Sequence, residues 1–126
     1  MMKKVLVIVT KAPYGREDSF GAILLAGTGP AAEMSTKVVF TGDGVHNSVK
    51  NQNPTGYFKL GEKELGLPSI EQLIRDFSQV GVEFYALEKD LEARGVEETE
   101  LVEAVKPITE HKLANLILEA NTALVF

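Results

Sequence analysis

After Lys4 the chain runs without interruption through the aliphatic residues Val5 to Val9, most of them β-branched, to Thr10. An apolar run with no polar alternation, closed by a Pro-Tyr-Gly turn, predicts a strand buried on both faces of a parallel sheet. Beyond the loop Lys11 to Arg16, the residues Phe20, Ile23, Leu24 and Gly27 recur at helical spacing. Glu17 and Asp18 sit where the positive end of that helix favours negative charge. Gly27-Thr28-Gly29-Pro30 interrupts it, and Pro30 can open a short restart through Ala31 to Met34.

Lys37 to Phe40 is the second predicted strand and ends in the turn formers Thr41-Gly42-Asp43-Gly44. The segment Asn47 to Gly56 has no apolar period and is expected to be a long exposed loop. Ser69 followed by Gln72 resembles a capping box for a helix whose buried face is Ile70, Leu73, Ile74 and Phe77, ending near Gly81. A third strand, Val82 to Leu87, leads into a short acidic helix, Glu88 to Arg94, closed by Gly95. Val102 to Ile108 reads as a weaker extended stretch. Thr109 caps a last helix with Leu113, Leu116, Ile117 and Ala120 inward, and Ala123 to Phe126 forms a terminal strand. Strands alternating with helices give an α/β fold with a mainly parallel sheet, and place a site at the loops after the strands' carboxyl ends.

Length is consistent with one domain over residues 1–126. Lys3 and Lys4 before an apolar run superficially resemble a signal peptide, but the run is short and Lys11 and Pro13 follow it. No stretch approaches the roughly 20 apolar residues of a membrane helix, so the expectation is a cytoplasmic protein with no membrane partner. The chain has no cysteine, which excludes disulfides, zinc-thiolate sites and cysteine nucleophiles together. The net charge of -5 is local: seven acids face two bases from Glu88 to Glu103, and the rest of the chain is balanced. That stretch repels phosphate backbones, so direct nucleic-acid binding is not expected.

Three loops should converge at the sheet's carboxyl edge: Thr10 to Arg16, Thr41 to His46, and Leu87 to Asp90. Neither GxGxxG nor GxxxxGK[ST] occurs, so a nucleotide or flavin cradle lacks its backbone donors, although Arg16 can hold an anion at low specificity. Asp43, His46 and His111 suggest acid/base or metal chemistry. Their plainer readings are an Asp43 that caps its own turn, an exposed His46 and a solvated His111. No serine has histidine and acid partners at recognisable spacing. Tyr14, Tyr57 and Phe58 lie in or beside loops as interface candidates, and Phe126 reads as core.

Four features recur in order: the opening strand with Ala12-Pro13-Tyr14-Gly15, the second strand with Thr41-Gly42-Asp43-Gly44-Val45, the pair Gly66-Leu67 before a helix, and Leu91-Glu92-Ala93-Arg94-Gly95. Together they resemble the DsrE/DsrF/TusC family over nearly the whole chain. The resemblance implies a three-layer α/β/α sandwich of about five mainly parallel strands, flavodoxin-like in its layering. It also implies intracellular sulfur transfer, with trimers or hexamers common. Sulfur-carrying members hold a cysteine shortly before the helix that ends in Arg-Gly, and the matching position here is Leu87. A cysteine placed there is expected to be solvent accessible and thiosulfonate-reactive. The Ala-Pro-Tyr-Gly and Gly-Asp-Gly-Val stretches are most similar to the DsrF and TusC-like subunits, which accompany a cysteine-bearing homologue. The leading expectation is therefore a noncatalytic subunit or binding module of a sulfur relay, with no cofactor and no metal. Its partners would be further copies in a homo-oligomer or a cysteine-bearing homologue in a hetero-oligomer. Whether it serves tRNA thiolation or sulfur oxidation stays open. The alternative is a small-molecule-binding protein or enzyme using the edge around Arg16, Asp43 and His46, beside Tyr14.

Overall fold

The structure, a computed structural model, describes residues 2–14, 17–52, 59–60, 63–64 and 68–126. Five strands form one sheet: β1 (Lys4–Val9), β2 (Ser35–Phe40), β5 (Glu83–Leu87), β6 (Val105–Ile108) and β7 (Thr122–Val125). Their order is β6-β5-β2-β1-β7, and every neighbouring pair is parallel. Two further strands, β3 (Lys59–Leu60) and β4 (Lys63–Glu64), pair as a separate antiparallel hairpin that the sequence pattern does not announce. The helices are α1 (Glu17–Gly27), α2 (Ile70–Gln79), α3 (Glu88–Ala93) and α4 (Glu110–Glu119).

Three successive crossovers step the same way across the sheet and the last steps back. Right-handed connections then put α1, α2 and α3 on one face and α4 on the other. The side chains follow this partition. Val7, Val9, Val38, Phe40 and Phe84 pack with Ala22 and Ile23 of α1 and Ile70 and Ile74 of α2. The Phe40 and Phe84 rings stack at 6.2 Å between centroids. On the opposite face Leu6, Val39 and Ile108 lie under Leu116, with Leu113 and Ala120 at the margin. Ile117, expected inward, is 43% exposed because one helix spans only part of this face.

Local signals place most element ends. Ser69 Oγ accepts from the Gln72 N–H at 3.1 Å, and Thr109 Oγ1 accepts from the Lys112 N–H at 3.2 Å. Gly95 closes α3 at φ 66°, and the Val96 N–H returns to the Leu91 carbonyl at 3.0 Å. The restart after Gly29 is a single 3-10 turn, Pro30–Ala32.

Asn47 and Ser48 correct the start of the loop that was expected to be exposed, while residues 53–56 of it lie outside the described residues. Residues Gly42–Ser48 form a 3-10 stretch in which Gly44, Val45, Asn47 and Ser48 are buried. Val49 then bridges Leu101 in antiparallel fashion. Farther on, the Asn51 N–H donates to Glu71 Oε1 at 2.6 Å, while Arg75 holds Glu71 at 2.8 Å and also bonds Glu103. This network ties α2 to the two chain segments beside it and absorbs part of the acidic stretch.

The Arg75 guanidinium, first among the causes, holds the Glu71 carboxyl below its ordinary 4.5, against the opposing effect of burial. A carboxyl depressed in the folded state adds stability that is present above its unfolded pKa and disappears as pH falls through the lower folded value. Denaturant titrations at stepped pH should therefore find Glu71→Gln less stable than wild type at neutral pH. The gap should close below about pH 4.5. A gap independent of pH would rule out this clamp.

Candidate site at the carboxyl edge of the sheet

The three loops named from the sequence do meet, and the first tie between them is backbone. The Thr41 N–H donates to the Val9 carbonyl at 3.0 Å, which leads the 3-10 stretch over the end of β1. Gly44 crosses that carbonyl so closely that a Cβ on it would stand 2.0 Å from the oxygen, so only glycine fits. The second tie is a buried amide. Asn47, 1% exposed, donates from Nδ2 to the carbonyls of Lys11 at 2.9 Å and Gly44 at 2.8 Å. Ser19 Oγ donates to the same Lys11 carbonyl at 2.6 Å. Start of α1, β1 loop and β2 loop thus share one acceptor. Asn47 Oδ1 and Ser48 Oγ are buried with no hydrogen-bond partner among the described residues.

The third tie is ionic. The Gly42 N–H donates to Asp90 Oδ2 at 2.7 Å, and Arg94 donates to Asp43 Oδ1 from Nε at 3.1 Å and Nη2 at 3.0 Å. Arg94 Nη1 also lies 3.7 Å from Asp90 Oδ1, an i,i+4 pair on α3. Asp43 therefore does not cap its own turn. Gly42, at φ 54°, turns the chain so that the Asp43 carboxylate faces α3. The arginine offsets the charge of one carboxylate and bonds or pairs with both, which suits this group to fixing loop positions.

The remaining candidates are dispersed. Tyr14, at φ 57°, packs against the main core, and its hydroxyl accepts from the Ile70 N–H at 2.8 Å. It therefore anchors its loop to the start of α2, away from the Asp43 pair. His46 is half-buried and engages through its carbonyl, which accepts from the Val49 N–H and Gln52 Nε2. Its imidazole has no hydrogen bond among the described residues, and Asp43 is bonded to Arg94 instead. His111 is exposed. Arg16, Tyr57, Phe58 and Gly66-Leu67 lie outside the described residues. Among the described residues no group of three or more His, Asp or Glu side chains could hold a metal ion.

Leu87 is the last residue of β5, opposite Ile108 of β6, and the next residue opens α3. It is 8% exposed, so the open position expected for the family's sulfur carrier is here a nearly closed one. Glu88 and Asp90 in the first turn of α3 add negative charge next to it. The residues that organise this edge, Asn47, Ser19 and Arg94, were not candidates from sequence alone. Only the Asp90–Arg94 spacing and the Arg-Gly helix end gave a signal.

A profile of the DsrE/DsrF-like family matches residues 3–126. The chain belongs to that family. It is 27% identical over 123 residues to an uncharacterized protein of Methanocaldococcus jannaschii, covering 98% of this chain and 99% of that one. It is also 27% identical to the intracellular sulfur oxidation protein DsrF of Allochromatium vinosum, covering 99% and 88% of the two chains. The crystal structure of YchN from E. coli shares the fold at a TM-score of 0.82 and 24% identity, over 99% of this chain and all of that one. A protein of unknown function from Methanobacterium thermoautotrophicum shares it at 0.66 and 15%.

Within this DsrE/DsrF-like fold, the buried amide and the exposed ion pair should carry unequal weight. Asn47→Ala strips two buried carbonyls of a donor and is expected to cost about 2–3 kcal/mol in urea unfolding. Asp43→Ala, at an exposed pair, should stay within roughly 1 kcal/mol of wild type. Equal losses would mean that the ion pair, not the amide, fastens the edge.

Proposed function

We propose that this DsrE/DsrF-like chain is a noncatalytic subunit or binding module of a sulfur-relay assembly that works beside a cysteine-bearing homologue. The observation that carries this reading is a chain with no cysteine, in which the sequence resemblance puts Leu87 at the family's sulfur-carrying position. Sulfane-sulfur transfer needs a thiolate. It attacks the outer sulfur of a donor persulfide, the donor leaves as a thiolate, and the new persulfide is attacked in turn by the next acceptor. An aliphatic side chain can do neither step, and the thioethers of Met2 and Met34 cannot be regenerated after attack.

The DsrF of Allochromatium vinosum, by its name a protein of intracellular sulfur oxidation, supports the sulfur context. The alternative of a small-molecule site draws no support from the described groups, since Asp43 is engaged by Arg94 and Tyr14 by the start of α2. What the chain offers a partner is surface and a fixed loop edge.

Native mass spectrometry of the tagged protein, recovered gently from its own cells, tests the role. The expected result is copurification in fixed stoichiometry with a small cysteine-bearing homologue. A pure homo-oligomer carrying a bound small molecule would overturn it.

A cysteine placed at Leu87→Cys tests the positional match. Thiosulfonate labelling of the folded variant is expected to be measurable but slower than at an exposed control such as Ala114→Cys, because the site is only 8% exposed and lies beside two carboxylates that disfavour the thiolate. No labelling without denaturant would argue against the match.

A further inference from the structure

The helices of the more heavily covered sheet face all lie to one side of β7. α1 crosses from β1 to β2 and the next two helices step farther away, so none of them stands over β7 on that face. Between α1 and the edge strand there remains a cleft of about 230 Å³. It sits against the amino-terminal halves of β1 and β2, away from the loops at the carboxyl edge.

The walls decide what this cleft can hold. Its floor is Val7, Ala26 and Thr36, which are 1%, 2% and 3% exposed, and its rim is Leu25 and Leu124, at 45% and 36%. No lining residue is ionisable. Gly29 contributes backbone only, because a Cβ there would run into the Thr36 hydroxyl. Two of the lining threonines spend their protons within the fold. Thr28 Oγ1 donates to the Leu25 carbonyl at 2.7 Å, and Thr36 Oγ1 donates to the Met34 carbonyl at 3.4 Å. The third, Thr122, is exposed, and its hydroxyl has no hydrogen bond among the described residues.

We propose that this cleft binds a neutral aromatic molecule of one or two rings that carries a single hydrogen-bonding group. Walls of this kind give water few partners, and apolar cavities of about 150 Å³ take up benzene. The larger volume here admits a second ring. A charged ligand would lose its hydration and find no counter-charge in return. A flexible chain would lose rotamer freedom on entry, whereas a rigid ring has none to lose. Met34 adds a polarisable thioether, which makes favourable contact with ring edges. Thr122 is the lining hydroxyl left to meet a polar substituent. This ligand site goes beyond the sulfur-relay role and does not depend on it.

Titration with indole tests the site. The chain has no tryptophan, so indole fluorescence excited beyond the tyrosine band reports the ligand alone. Wild type is expected to saturate at one indole per chain with a Kd of about 1 mM or tighter. Indole-3-carboxylate should bind about tenfold more weakly or not at all. Leu124→Asp, which puts a charge in the rim, should weaken indole binding about tenfold, and Thr122→Val about threefold. Leu118→Asp, at a residue 82% exposed on the opposite face, should leave it unchanged. Methyl NMR of the wild-type protein covers the case in which a variant fails to fold. Indole should move the resonances of Leu25, Ala26, Met34 and Leu124 and leave those of Val80 and Leu118 in place. Binding that never saturates, equal uptake of the carboxylate, undiminished affinity in Leu124→Asp, or shifts centred elsewhere would overturn the proposal. So would a cleft that takes up no indole because another copy of the chain covers it.

Discussion

The pairing of β1 on both sides by parallel strands sets the terms for the rest of the molecule. A strand held this way has no free edge and no solvated face, so Val5 to Val9 can be aliphatic throughout only if both sheet faces are covered. The chain covers them unequally. Three connections lay helices on one face, and only α4 serves the other. The buried cluster is correspondingly large on the first side and small on the second. β7 joins β1 at the edge of the sheet, so apolar residues that complete β1 on one side are exposed on the other. An exposed β7 is thus a consequence of the topology.

The same strand fixes the candidate site. Its carboxyl end delivers the Val9 carbonyl to Thr41 and Gly44, and from there the β2 loop folds back over β1 instead of out into solvent. Burying that much backbone requires donors for the stranded carbonyls, which Asn47 and Ser19 supply. Arg94 then joins the rim of the loop to α3. The edge is a set of interlocked loops whose polar groups are mostly spent on one another. That suits a surface read by a partner better than a cleft that must change protonation during turnover.

The strands, the helix caps at Ser69 and Thr109, and the αL closure at Gly95 were legible because each depends on a few adjacent residues. The Asn47 region was not. A stretch of Gly, Asn and Ser has the composition of an exposed loop, and what buries it is a tertiary fact, the close passage of Gly44 over β1. Asp43 misled for the same reason: a flanking pair of glycines suggests a self-capped turn, but the deciding group, Arg94, is contributed from the far side of β5. Ile117 fits the helical period as well as Leu116 does. Which of two adjacent stripes is buried depends on where the sheet ends, and periodicity carries no information about that.

Leu87 connects these levels. At the end of β5 and the start of α3 a residue has one neighbour in the sheet and one helix turn above it, a position from which a thiolate can be presented to another protein. Under the proposed match to the family's sulfur-carrying position, leucine trades that chemistry for burial. Full burial of such a side chain stabilises by about 1.5–3 kcal/mol, and with 8% exposure Leu87 realises most of it. The acids of the first α3 turn point the same way, since Asp90 is committed to the Gly42 N–H and to Arg94, and Glu88 opposes a neighbouring anion. Sulfur chemistry here would take more than one cysteine: the thiolate would need a cation, and Arg94 of the same helix already holds Asp43 and the loop that crosses β1.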